Sequence, residues 1–120
     1  MKNRIKIALQ AFFLLVISSS VYAQECGESP TAPAVVDGAS ATLEELKQNS
    51  DDINAYIVIA DEYLDCTHAF EDSRDFDTLG VDAKEQFRAE ASAVLAARNE
   101  IADEFNLQVA AYQEANPDAQ

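Results

Sequence analysis

Proline and glycine, the residues that interrupt regular backbone, are spread very unevenly along this 120-residue chain. Gly27, Pro30, Pro33 and Gly38 all fall within residues 24–41, and after them only Gly80 stands before Pro117. A stretch of such length with one breaker near its middle, in a chain that is 48% apolar, predicts two long helices joined by a single turn. No strand pattern and no internal repeat competes with that reading.

The local signals agree with it. "TLEE" offers a capping box, with Thr42 as N-cap and Glu45 reaching back from the third helical position. Leu43, Leu46, Ile53, Ile57, Ala60 and Leu64 recur at three- and four-residue steps, and Tyr56, Ile59, Tyr63, Cys66 and Phe70 form a second row beside them. Val58 is the outlier on the polar side. The pattern predicts a helix over about 42–72. Residues 71–82 interrupt it, and a second capping box, Asp82 with Glu85, opens a helix over about 82–116 that carries Phe87, Ala91, Val94, Ile101, Phe105, Val109 and Tyr112 on one stripe. Asn116-Pro117 ends it, leaving 117–120 as a tail. The expected fold is all-α: a long, coiled-coil-like antiparallel two-helix hairpin with an irregular N-terminal segment.

Residues 1–23 stand apart from that fold. Lys2, Arg4 and Lys6 precede an apolar run from about Ile7 to Ile17, and Val21-Tyr22-Ala23 closes on small residues, the order of a cleaved secretory signal peptide. The run is too short to span a bilayer comfortably, so no stable membrane anchor is expected after cleavage. All 22 acids lie beyond residue 23, against Lys47, Arg74, Lys84, Arg88 and Arg98, which gives the processed chain a formal charge of −17. That balance excludes nucleic acid as a partner, because phosphate binding needs clustered cations. The expected location is the periplasm or the outside of the cell.

In an oxidising compartment the two cysteines, Cys26 and Cys66, read as a disulfide. Closing a loop of about 41 residues removes roughly 4 kcal/mol of unfolded-chain entropy in the simple chain model. Cys66 falls at the edge of the apolar stripe, so the bond would lay the 24–41 lead segment along the flank of the hairpin, with Val35 and Val36 as covers.

Few residues suggest chemistry. Cys66 and His68 are two apart on a helix and point about 200° away from each other, which disfavours a thiol–imidazole pair. His68 with Asp72, and Asp75 and Asp77 in a partial calcium-loop pattern that lacks oxygen ligands at Leu79 and Gln86, are the candidate metal ligands. The signal is unspecific, and no cofactor is expected. Arg98 lies within the apolar stripe of the second helix, between Val94 and Ile101. With a pivot near residues 76–77 it would stand level with residue 55, in reach of Asp51, Asp52 and Tyr56, either fixing register as a seam charge or turning its head outward past its own stem. No phosphate loop or nucleophile elbow is present, and the chain is not expected to be an enzyme.

Asp37-Gly38, Ala41-Thr42, Tyr63-Leu64-Asp65-Cys66 and Phe105-Asn106, spread over nearly all of the chain after the leader, resemble a group of small exported bacterial proteins with a two-cysteine helical hairpin. No activity is established for that group, so the resemblance implies architecture and location alone. The functional expectation is a non-enzymatic exported interaction or structural protein that uses its helical face to bind a protein partner or to self-associate, as in a homodimer. An acid- or stress-responsive holdase and a weak divalent-cation binder are the alternatives. Intact mass after alkylation checks the framework: the exported protein should start near Gln24, take up no label without reductant and take up two labels with it.

Overall fold

The computed structural model describes residues 26–119. The leader expected over 1–23 lies outside the described residues, as do 24, 25 and 120. The fold is a helical hairpin: α1 spans Leu43–Glu71, α2 is a single turn over Arg74–Asp77, and α3 spans Val81–Ala115, followed by a 3-10 turn over Pro117–Ala119. No strand occurs among the described residues. The Cys26–Cys66 disulfide ties the lead segment to α1.

The capping box at Thr42 is formed in both directions: Glu45 N–H donates to Thr42 Oγ1, and Thr42 N–H donates to Glu45 Oε2. The second expected box is not. Gly80 is the N-cap of α3 with no side-chain cap, so Asp82 lies inside the first turn. A carboxylate one or two residues into a helix still faces the positive end of its dipole, which is why the same residues served two readings. The interrupted stretch also contains a short helix. Ser73 caps α2 by accepting from Phe76 N–H, and it donates to Phe70 O across the break.

The register between the long helices is set later than the expected pivot. Arg98 pairs with Asp61 and Arg88 with Glu71. Both pairs centre between residues 79 and 80, so Leu43 comes level with Asn116, and the first seven residues of α3 project beyond the end of α1 by about 10 Å. Phe70, Phe76 and Phe87 fill that end, with ring centroids 5.2–5.9 Å apart in edge-on and tilted arrangements. Phe76, placed by the sequence in a break, is buried there beneath Lys84 and Arg88.

The main core is Ile53, Tyr56, Ala60, Tyr63, Val94 and Ile101, with Ile57, Leu64 and Phe105 half-buried against it. Two helices leave such a core open on both sides, and the lead segment closes one of them. Gly27, at φ 75°, turns the chain just after the staple, a conformation that other residues adopt only at a cost. From there the segment runs antiparallel to α1. Ser29 Oγ donates to the Tyr63 hydroxyl, and Ala32 and Val35 pack on the core. Asn49, buried in α1, clamps the backbone on both sides of Val35: its Nδ2 donates to Ala34 O (2.8 Å) and its Oδ1 accepts from Val36 N–H (3.0 Å). Gly38 then meets α3, donating to Gln108 Oε1, and so closely that a Cβ would stand 1.8 Å from Gln108 O. Asp37 accepts from Ala39 and Ala41 N–H and turns the chain into α1.

Ile59 departs from its expected row and is 55% exposed. The buried Tyr56 hydroxyl finds no hydrogen-bond partner among the described residues, and burial pushes its phenol pKa up. Two substitutions test the strap. Gly38→Ala forces backbone apart and should cost roughly 1–3 kcal/mol by overpacking. Asn49→Ala orphans an N–H and a carbonyl and should cost about 2 kcal/mol. Thermal unfolding of the oxidised protein should show each as a drop in Tm on the order of 10 °C.

Candidate functional site

With the lead segment on one side, the hairpin presents its other side to solvent. On a 100° projection this open face carries Ile57, Asp61, Leu64 and His68 from α1, and Ala91, Leu95, Arg98, Ala102 and Phe105 from α3. A shallow groove runs between them, lined by Leu64, Ala91 and Leu95 and by the polar Thr67, His68, Ser92 and the Glu71–Arg88 pair, with no lead residue in its wall. Leu95 remains 49% exposed at its rim. The lead side differs: there Ala32–Val35 overlie the core, and a second shallow cleft separates them from Ala97, Glu100, Ile101 and Glu104 of α3.

Arg98 crosses the middle of the open face. Its Nε donates to Asp61 Oδ1 at 2.7 Å and its Nη2 to Asp61 Oδ2 at 3.2 Å, a two-pronged ion pair. The partners expected from sequence, Asp51, Asp52 and Tyr56, belong to a pivot about three residues too early; Asp61 takes their place because α3 overhangs α1. The pair is half-exposed. Hydrogen bonding from Arg98, reinforced by its charge, holds the Asp61 carboxyl below the usual carboxylate range. Glu71 Oε1 accepts from Arg88 Nε at 2.8 Å one stage further along the same face.

The candidate metal ligands do not converge. No group of three His, Cys, Asp or Glu side chains among the described residues is placed to hold an ion, and His68, Asp72, Asp75 and Asp77 form no such set. Asp75 and Asp77 belong to α2, where the Asp75 carbonyl accepts from Thr78 in a helical turn and not in an ion-binding loop. Cys66 is oxidised to Cys26, which removes its thiol from chemistry. No described helix is long and apolar enough to cross a membrane. No family model matches the chain, and neither the curated proteins nor the solved structures contain a significant match.

Asp61 gives a signed pH dependence. Its pKa is lowered in the folded chain, so its contribution is complete above the unfolded value near ~3.9 and is lost as pH falls through the lower folded value. Asp61→Asn should therefore be less stable than the parent protein at pH 7. That difference should shrink towards zero as acid unfolding is followed below about pH 4.

Proposed function

We propose that this chain is a non-enzymatic, exported interaction protein that works through the open face of the hairpin. The observation that carries the reading is the inequality of the two sides. One is overlaid by a disulfide-anchored strap with hydrogen bonds at Ser29, Ala34, Val36 and Gly38. The other leaves Leu95 exposed and Ile57, Leu64 and Phe105 half-buried around a central ion pair. A half-apolar strip with a few fixed charges has the composition of a docking surface. The disulfide is compatible with the periplasm or the cell exterior as the place of work.

The test is a photoreactive side chain placed at Leu95 or Ala102 on the open face, with exposed Leu107 on the side of α3 turned away from it as control, in the protein exported by its producing cell. Adducts at the first two positions and none at Leu107 are the expected result. Equal labelling at all three, or none at Leu95 and Ala102, would remove the open face as the working surface.

A further inference from the structure

The charges of the hairpin are sorted by side in a way that its overall acidity conceals. On the helical projection all three cations of α3, Lys84, Arg88 and Arg98, fall on the open side with Ala91, Leu95 and Ala102. None of its acids does: Asp82, Glu90, Glu100, Glu104 and Glu114 fall towards the lead side, and Glu85 and Asp103 point backwards. The open side of α1 presents Asp61 and Asp65, with Glu71 at the seam and Lys47 as a cation near its start. The open face is therefore a locally balanced strip, acidic at Asp61, Asp65 and Glu71 on one helix and basic at Lys84, Arg88 and Arg98 on the other. The excess negative charge sits elsewhere.

We infer that the occupant of this face is a second copy of the chain, laid on it about a twofold axis parallel to the helices. This rests on the reading of the face as a docking surface and names what docks. Under such an axis every residue keeps its level along the helices while left and right exchange, so α1 of each protomer covers α3 of the other. Because Asp61 and Arg98 already stand level within one chain, Asp61 meets the partner's Arg98 and Arg98 meets the partner's Asp61, and the four charges close into one ring. Glu71 and Arg88 repeat the arrangement nearer the turn. The other face-to-face twofold, perpendicular to the helices, sets α1 on α1 and opposes acid to acid, which costs specificity and affinity. A strongly basic partner meets the cations of α3 and is disfavoured for the same reason.

The dimensions suit a dimer. Two helices that run together for about 43 Å, side by side over roughly 20 Å, offer about 800 Å² per protomer, the size of a standard stable interface. Leu64, Leu95 and Phe105 would supply its apolar centre, and the product is an antiparallel four-helix bundle strapped on its two outer sides by the lead segments.

The experiment is sedimentation equilibrium on the oxidised, exported protein at micromolar concentration. The parent chain should be a dimer. Arg98→Asp makes the central charges all acidic and Asp61→Arg makes them all basic, so each alone should dimerise at least about tenfold more weakly. Their equimolar mixture should recover the dimer as a heterodimer. Neither variant retains the pair within its own chain, so recovery reports contact between chains and not repair of the fold. Leu95→Glu, at a half-exposed position, should also weaken the dimer while far-UV circular dichroism stays unchanged, which keeps the inference testable if a charge variant fails to fold. A monomeric parent chain, or a mixture that stays monomeric, overturns the inference. If that monomer still forms open-face adducts whose mass is not a multiple of the chain, the docking reading survives with a different occupant; if it forms none, both fail.

Discussion

The Cys26–Cys66 bond is the constraint on which the rest of the architecture depends. An antiparallel pair of helices has one line of mutual contact and two flanks, and its core stays wet on both unless something else lies over it. By fixing the start of the lead segment near the far end of α1, the disulfide commits the chain to run back along one flank before the first helix begins. Asn49 and Gln108 then hold backbone groups that a loop would otherwise leave to water. The groove on the opposite flank has no lead residue in its wall, so a molecule built of two similar helices ends with two unlike sides.

Register is settled by contacts that do not tolerate sliding. Apolar stripes alone allow long helices to slip by a turn with modest change in buried area. Asp61–Arg98 and Glu71–Arg88 are satisfied together in one register, and the approach of Gly38 to the Gln108 backbone fits the same one. The overhang of α3 follows from it. The overhanging turns would be bare if Phe76 did not fold in over Phe87, which is why the connection is a capped helical turn and not a slack loop.

What could be read in the sequence was what local rules determine. Thr42 and Glu45 carry their own geometry, and the single breaker between residues 42 and 116 dictated a hairpin. Two cysteines behind a leader-like start implied the staple, and the off-centre place of Cys66 in its stripe implied a covered flank. What stayed hidden depends on distance along the fold. Asn49 looks like any polar residue in a helix, because its two partners lie 15 and 13 residues away on an extended segment. Phe76 lacks a periodic neighbour and so carried no signal of burial. The partner of Arg98 was misplaced because counting residues through the break cannot measure how far one helix overhangs another. The sorting of charge across α3 was present in the sequence throughout, but it acquires meaning only once the lead segment identifies which side is open.

The extended form of the strap has a consequence for how cheaply such a core can be enclosed. Between its anchors at Cys26 and Val35 the lead advances by nine residue steps, while α1, from Cys66 back to Asn49, advances by seventeen. At roughly 3.1 Å per residue in an extended, proline-bearing conformation against 1.5 Å in a helix, the two lengths match, near 26–28 Å. A third helix laid over the same flank would need to immobilise nearly twice as many residues, each losing about 1–2 kcal/mol of backbone freedom. Prolines at 30 and 33 lower that loss further, since their φ angles are already restricted in the unfolded chain. For a hairpin of fewer than a hundred residues, a ribbon is the thermodynamically lean way to add a layer.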